Sequence, residues 1–67
     1  MKVVVNSKDK IVPIGCTLEQ LIQILGIKDN EPVAIALGED VIERDNWKIT
    51  HLKDKDNVTI IRPTCGG

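Results

Sequence analysis

The sequence contains no phenylalanine and no tyrosine, and Trp47 is its single aromatic residue. A hydrophobic core must therefore be built almost entirely from aliphatic side chains. The chain has 67 residues, which makes one small domain near the size limit at which a core holds without metal or disulfide support. Cys16 and Cys65 are too few and too irregularly placed for a disulfide framework or a zinc site. We expect Cys16 to be a small, partly buried thiol.

The chain also lacks an excess of charge of either sign. Nine basic and ten acidic residues give a formal net charge of −1, whereas nucleic-acid binding requires many Lys and Arg side chains to neutralise phosphates. No apolar run approaches the roughly 20 residues that cross a bilayer, and the N-terminus has no signal-peptide layout. We expect a soluble, cytoplasmic protein that binds neither nucleic acid nor membranes.

Residue patterns typical of catalysis are missing as well. The sequence has no phosphate-binding glycine loop, no nucleophile with a base at a recognisable spacing and no cluster of metal ligands. His51 is the single histidine, and we expect it at the surface. These absences favour a protein that is not itself an enzyme.

The first part of the chain has the pattern of a β-hairpin. Residues 3–5 are consecutive valines and predict a strand. Residues 6–9 include Asn, Ser and Asp, whose side chains bond to the nearby backbone in turns. Residues 10–13 then predict a second strand that returns beside the first.

A helix is predicted over residues 17–25. Thr17 and Gln20 have the spacing of a capping box, in which the side chain of each residue bonds to the backbone of the other. Gly26 supplies the stop. Apolar residues recur at the spacing of one helical face, at Leu18, Leu21, Ile22 and Leu25. We expect this stripe to pack in the core.

The middle of the chain predicts a second hairpin. Residues 33–37 are apolar in both alternations, which is typical of a strand that is covered on more than one side. Gly38 and Glu39 match a type II′ turn that leads into a short strand at residues 41–42. Residues 45–47 predict a short capped turn, and Trp47 is expected to close the end of the core.

The last part of the chain predicts a turn at residues 53–56 and a strand at residues 58–62. Pro63 has no N–H to donate, so strand pairing should end there. If the first and last strands pair in parallel at the centre, the helix crosses one face of the sheet. The predicted fold class is α+β: a β-grasp, or ubiquitin-like, domain over residues 1–62, with a mixed sheet of four to five strands and one helix packed across one face.

The sequence stops on Gly66 and Gly67. Residues 63–67 are expected to form a flexible tail that spans at most about 17 Å, at roughly 3.4 Å per extended residue. A terminal carboxylate has a pKa of about 3.5 and is a poor electrophile at pH 7. Conversion to an acyl-adenylate would open its carbonyl carbon to a sulfur or nitrogen nucleophile. Glycine leaves that carbon unhindered because it has no Cβ.

Three stretches of the sequence, taken in order, form a fairly specific pattern of one protein family. They are residues 33–47, with paired aliphatics, an arginine and a tryptophan, then residues 52–60, with an aspartate turn and a final strand, and last the diglycine. Together they resemble the ThiS family, the ubiquitin-like sulfur carriers of thiamine thiazole biosynthesis, over essentially the whole chain. The chain departs from that family at Gly38-Glu39 in place of Asn-Gly, at Glu43 in place of proline, at Lys55 in place of glycine, and at Cys65.

The resemblance implies a carrier of sulfur and not a catalyst. An E1-like enzyme would adenylate the Gly67 carboxylate with ATP. A persulfide supplied by a cysteine desulfurase or a rhodanese-type enzyme would then convert it to a thiocarboxylate, and thiazole synthase would accept the sulfur. ATP is used by the activating partner, and no cofactor is expected on the chain itself.

Contact with these partners is expected on one face of the sheet and along the tail. If alternate residues of the last strand point to the helix, Ile61 faces the other way, as does Val4 in the first strand. We expect Val4, Ile61 and Ala36 to form a docking patch with Arg62 at its edge. The tail would add Pro63, Thr64, Cys65 and Gly66. A further hypothesis is that the Cys65 thiol traps an activated acyl group at Gly67 or joins a mixed disulfide.

Three other functions stay open at this point. The small subunit of molybdopterin synthase shares the fold, the diglycine and the thiocarboxylate chemistry, but it delivers sulfur to a pterin. A ubiquitin-like modifier would be joined through Gly67 to lysines of target proteins. A passive β-grasp interaction module would have no use for the tail. The segment from Arg44 to Trp47 and the short chain favour the thiazole pathway.

Overall fold

The computed structural model describes residues 1–28 and 30–62. The elements are five strands, one α-helix and one 3-10 helix. In chain order they are β1 (Lys2–Val5), β2 (Lys8–Ile11), α1 (Leu18–Ile24), β3 (Ala34–Leu37), β4 (Asp40–Ile42), the 3-10 helix (Arg44–Ile49) and β5 (Asn57–Ile61). Within the described ranges, no helix has the length and apolar character needed to cross a bilayer.

The five strands form one mixed sheet in the order β2-β1-β5-β3-β4. Strands β1 and β5 are parallel neighbours at its centre, and the other pairs are antiparallel. Helix α1 buries its apolar stripe in the same core as the inward residues of the sheet. The predicted β-grasp fold is therefore confirmed, with five strands.

The core is aliphatic apart from one ring, as the composition requires. Val3, Leu18, Leu21, Ile35 and Val58 are completely buried in it. The remaining buried apolar residues are Val5, Val12, Cys16, Ile22, Ile27, Trp47, Leu52 and Ile60. Cys16 is 1% exposed, so the thiol is more deeply buried than the partly buried position expected from the sequence.

The first hairpin is tighter than the sequence predicts. Its turn is the two residues Asn6 and Ser7, with φ of 50° and 70°, and β2 begins at Lys8. The expected four-residue turn and the strand at residues 10–13 are therefore wrong. Two left-handed residues match the right-handed twist of the flanking strands, so Lys8 pairs directly with Val5.

Helix α1 has the predicted capping box. The Gln20 N–H donates to Thr17 Oγ1 at 3.2 Å, and the Thr17 N–H donates to Gln20 Oε1 at 3.0 Å. The helix itself runs from residue 18 to 24, because Thr17 is its N-cap and Leu25 its C-cap. Gly26 follows with a φ of 75°, a left-handed conformation that ends the helix.

The second hairpin has the predicted turn. Gly38 has a φ of 62° and Glu39 has no positive φ, as a type II′ turn requires. In β3, Ile35 is completely buried and faces the core, whereas Ala34 and Ala36 on the outer face are half-buried. The apolar run therefore corresponds to one buried face and one partly exposed face.

The segment after β4 differs from the predicted capped turn. It forms a 3-10 helix, and its N-cap residue Glu43 makes no side-chain capping bond. Trp47 is buried at the end of the core, as predicted, and its Nε1–H donates to the Ile42 carbonyl at 2.9 Å. The indole therefore joins the 3-10 helix to the end of β4.

The predicted turn at residues 53–56 is present, and Lys55 has a φ of 71°. The Lys53 N–H donates to Asp56 Oδ2 at 2.7 Å, and the Lys55 N–H donates to the Lys2 carbonyl at 2.6 Å. A lysine is thus held in the left-handed region that favours glycine, which is the local consequence of the departure noted in the sequence.

Candidate functional site

The candidate site begins where β5 ends. Of the predicted site residues, the structure describes Val4, Ile61 and Arg62. The others lie outside the described residues: Pro63, Thr64, Cys65, Gly66 and Gly67. The predictions made for the tail, including the role of Cys65, therefore stay predictions, and the geometry below is that of the sheet from which the tail continues.

Strand β5 alternates as predicted. Val58 and Ile60 are buried against the helix side of the sheet, whereas Thr59 and Ile61 face outward. Ile61 is 51% exposed although it lies in a central strand. An apolar side chain is thus presented to solvent immediately before the segment that leads to the diglycine.

Outward residues of β3, β4 and β5 form one apolar area around Ile61. Register pairs Ile61 with Ala34 and pairs Thr59 with Ala36, and Ala36 in turn lies opposite Val41. Val41 is 68% exposed. We call Ala34, Ala36, Val41 and Ile61 the outer-face patch. Val41 had not been assigned to it from the sequence, because its place depends on the register of the β3–β4 pair.

Val4 lies at the opposite end of the outer face. It is half-buried and pairs with Asn57, four residues before Ile61 along β5. The distance is about 13 Å at roughly 3.3 Å per residue. The structure therefore brings Ile61 and Ala36 into one patch and leaves Val4 separate from it.

Asn6 contacts the C-terminal end of strand β5, and sequence reasoning missed this role. Its Oδ1 accepts a hydrogen bond from the Ile60 N–H at 2.8 Å, and its Nδ2 donates to the Ile60 carbonyl at 3.3 Å. A cleft of about 300 Å³ lined in part by Asn6, Ile60 and Arg62 opens beside this contact. The sequence offered only the signal of a turn residue here.

Glu31 connects the loop before β3 to the end of β5. Its carboxylate lies 4.0 Å from the guanidinium of Arg62, and its backbone carbonyl accepts a hydrogen bond from Arg44 Nη2 at 2.7 Å. The ion pair is largely exposed, so solvent screens it and it contributes little to stability. Arg62 lines the cleft beside Asn6 and Ile60, and its predicted place at the edge of the docking patch stays a prediction.

His51 and Cys16 are the side chains of the described residues that most often take part in acid–base or nucleophilic chemistry. His51 is exposed, as predicted, with Nδ1 at 2.9 Å from the Gly15 carbonyl. The Cys16 thiol donates to the Thr17 carbonyl at 3.3 Å, and desolvation by burial raises the pKa of Cys16. That shift makes the thiolate scarce and the thiol unreactive. Among residues 1–28 and 30–62, no three His, Cys, Asp or Glu side chains gather as metal ligands.

This arrangement is suited to docking and presentation. The rigid sheet offers an apolar patch beside the end of a central strand, and the remaining sequence continues directly from that strand. The outer-face patch therefore lies next to the point where the described part of the chain ends.

Comparisons with known proteins agree with this fold, and the family match includes the C-terminal residues. The model of the ThiS family matches residues 2–67. The crystal structure of the thiamine biosynthesis protein ThiS from Geobacter metallireducens is similar, with a TM-score of 0.84 and 29% identity over 100% of both chains. An NMR solution structure of a thiamine biosynthesis protein from the same organism has a TM-score of 0.81 and 29% identity, over 100% of this chain and 88% of that one.

No curated protein gives a significant match to the sequence. The family match nevertheless extends over all but the first residue and includes the diglycine. The fold comparison covers the same length. The chain therefore belongs to the ThiS family.

Proposed function

We propose that this protein carries sulfur for thiazole formation in thiamine biosynthesis, and that Gly67 is the residue that carries it. The observation that supports this most is the family match, which runs through the diglycine at residue 67. The exposed Ile61 supports it as well, because a partner can dock on the outer-face patch next to the segment that must be modified.

The proposed chemistry begins with an unreactive carboxylate. An E1-like partner transfers AMP from ATP to the Gly67 carboxylate and releases pyrophosphate, which makes the carbonyl carbon electrophilic. A persulfide sulfur attacks that carbon and expels AMP, which gives an acyl disulfide. A second thiol then attacks the donor cysteine's sulfur of that acyl disulfide, forms a disulfide with it, and releases a thiocarboxylate on Gly67. Glycine favours each attack because no Cβ blocks the carbonyl.

The partners divide this work. The adenylating enzyme binds ATP, a cysteine desulfurase or rhodanese-type enzyme supplies the persulfide, and thiazole synthase accepts the sulfur. The carrier supplies the outer-face patch for docking and the terminal carboxylate for reaction. It binds no cofactor in this scheme and works in the cytoplasm, where these enzymes use ATP and reduced thiols.

Two related roles differ from this one in the acceptor: the molecule that receives the sulfur or the acyl group from Gly67. A small subunit of molybdopterin synthase would deliver the sulfur to a pterin, and a modifier would form an isopeptide bond with a lysine. The similar structures are of thiamine biosynthesis proteins, which supports the thiazole acceptor. The experiment below separates the three.

The test uses a bacterial host that lacks its own ThiS protein and needs thiazole for growth. The full chain should restore growth without thiazole, and a chain that lacks Gly67 should restore it only when thiazole is added. Growth supported by the truncated chain would contradict the proposal. Restored molybdoenzyme activity in a host without the small molybdopterin synthase subunit, without restored thiazole synthesis, would favour the pterin. Isopeptide-linked species of higher mass would favour the modifier.

A further inference from the structure

We propose that Asn6 is a positioning residue, whose side chain fixes the direction in which the chain leaves the sheet after Ile60. The inference rests on the proposed function, because the direction matters only if the residues beyond Arg62 must enter a partner. It assigns a role to a residue in the first hairpin that is 54 positions from its contact in the sequence.

The Asn6 side chain continues a strand pairing that the backbone has left. In the parallel pair of β1 and β5, the Val4 N–H donates to the Asp56 carbonyl at 2.8 Å and the Asn6 N–H donates to the Val58 carbonyl at 2.9 Å. In an evenly spaced parallel ladder, the next bond would run from the Ile60 N–H to the backbone carbonyl of residue 6. The chain instead turns away, because Asn6 has a φ of 50°.

The carboxamide replaces both missing partners of Ile60. Its Oδ1 accepts from the Ile60 N–H at 2.8 Å, where the ladder would have placed a backbone carbonyl. Its Nδ2 donates to the Ile60 carbonyl at 3.3 Å, where the ladder would have placed a backbone N–H. On the other side, register pairs Ile60 with Ile35 and Ile61 with Ala34. The end of β5 is therefore held from both sides.

This role requires asparagine in particular. The side chain combines a donor and an acceptor in one planar group, and asparagine tolerates the left-handed backbone better than most residues. The turn by itself has a simpler requirement, since glycine adopts a positive φ at no steric cost. Asn6→Gly therefore separates the two roles, because it keeps the turn and removes both bonds to Ile60.

The consequence falls on the point from which the segment beyond Arg62 starts, because Ile60 is held two residues before that point. Misplacement of a reacting group by about 1 Å can lower a rate by about 100-fold. Asn6 is exposed, so its truncation leaves no cavity in the core. The loss of both bonds to Ile60 should lower stability, so the kinetic constants are compared on protein that circular dichroism shows to be folded, and the effect on them is expected in the chemical step.

The test compares Asn6→Gly with Ser7→Gly in ATP–pyrophosphate exchange catalysed by the adenylating enzyme. Ser7 is a matched control, because it lies in the same turn with a φ of 70° and its side chain is exposed. For Asn6→Gly we expect kcat to fall by about tenfold or more, with a KM within about twofold of wild type. For Ser7→Gly both constants should stay within about twofold of wild type.

Two further readouts separate positioning from general loosening. Backbone ¹⁵N order parameters at Ile61 and Arg62 should fall in Asn6→Gly, whereas those of helix α1 should stay at the wild-type values. In Ser7→Gly, the order parameters of both segments should stay at the wild-type values. Asn6→Asp keeps the acceptor for the Ile60 N–H but loses the donor to the Ile60 carbonyl. Its kcat should lie between the values of wild type and Asn6→Gly. This gradation is not expected of a residue that serves only the turn.

The outcomes that overturn the inference differ from those that overturn the proposed function. Wild-type exchange with an unchanged kcat in Asn6→Gly would refute the positioning role alone. A higher KM at unchanged kcat would also refute it, since Asn6 would then support docking. An absence of exchange with the wild-type chain would refute the proposed function and this role together.

Discussion

The guanidinium of Arg44 lies over the indole ring of Trp47, with Cζ 4.5 Å from the ring centroid. Trp47 also donates its Nε1–H to the Ile42 carbonyl, so the ring is held by a cation on its face and by a carbonyl at its edge. A single side chain thus connects the 3-10 helix, the end of β4 and the core. Trp47 is the single aromatic residue of the sequence, so no other ring can make these contacts.

Substitution of the indole should show this directly. Trp47→Phe removes the Nε1–H and leaves the Ile42 carbonyl without its donor, and it weakens the interaction with Arg44. We expect the free energy of unfolding to fall by about 2 kcal/mol, measured by urea denaturation followed by circular dichroism. Lys48→Ala, an exposed change in the same 3-10 helix, should stay within about 0.5 kcal/mol of wild type. Equal urea midpoints for Trp47→Phe and wild type would contradict this account.

The left-handed conformation of Lys55 predicts a stabilising substitution. Lys55→Gly relieves the contact between Cβ and the backbone at a φ of 71° and should raise the free energy of unfolding by about 0.5 to 1 kcal/mol. Lys53→Gly is the matched control in the same turn. It has no positive φ to relieve and should lower the free energy of unfolding by about 0.5 to 1 kcal/mol. Urea denaturation of both variants measures the difference. A change in the free energy of unfolding with the same sign for both variants would refute the strain at Lys55.

The buried thiol of Cys16 predicts a dependence of stability on pH. Burial raises the pKa of Cys16 from its ordinary value of 9.0, so below that pH the thiol is neutral in both states and contributes no slope. Above pH 9 the unfolded chain loses the proton first, and stability should fall until the folded thiol also ionises. The slope has an upper bound of about 1.4 kcal/mol per pH unit, the value for one whole proton. Urea denaturation with reductant at pH 8 to 10 should give this extra loss in wild type but not in Cys16→Ala. Parallel pH profiles would contradict it.

The outer-face patch predicts a loss of partner binding without a loss of folding. Ile61→Thr keeps the β-branched shape and removes apolar surface from the patch, so KM for the carrier in ATP–pyrophosphate exchange should rise by about fivefold or more. Ile14→Thr is the matched control, because Ile14 is 89% exposed but lies in the loop before α1 and outside the patch. It should leave KM unchanged. An equal effect of both substitutions would show that the patch is not the docking surface.

Elements determined by neighbouring residues could be predicted from the sequence. The capping box of α1 joins Thr17 and Gln20, which are three residues apart, and the type II′ turn depends on one glycine. The alternation of β5 follows from the period of a strand, so Ile61 was correctly placed on the outer face. The parallel pairing of the first and last strands, which the predicted β-grasp layout requires, is also present.

The first hairpin was predicted correctly, but the length of its turn was wrong, because the sequence does not specify that length. Residues 6–9 are all polar or charged, and each suits a turn by its own chemistry. The length is decided by pairing, since Lys8 and Asp9 join the ladder opposite Val5 and Val4. A four-residue turn would have left those backbone groups of β1 without partners.

The missing parts of the site depend on contacts between distant positions. Asn6 meets Ile60, and Glu31 meets Arg62, only after the sheet has formed. Val41 joins the patch because of the register between β3 and β4. Local sequence patterns contain none of this information. The residues that contact the C-terminal end of β5 could therefore be found only in the folded chain.

The central claim is that Gly67 becomes a thiocarboxylate, and intact-protein mass spectrometry with fragmentation of the C-terminus tests it most directly. The chain is incubated with ATP, the adenylating enzyme, a cysteine desulfurase and cysteine, and a second sample omits ATP. The account predicts exchange of one oxygen for sulfur, localised to the final residue and dependent on ATP. Sulfur retained only on Cys16 or Cys65, or an unchanged mass with active partner enzymes, would contradict it.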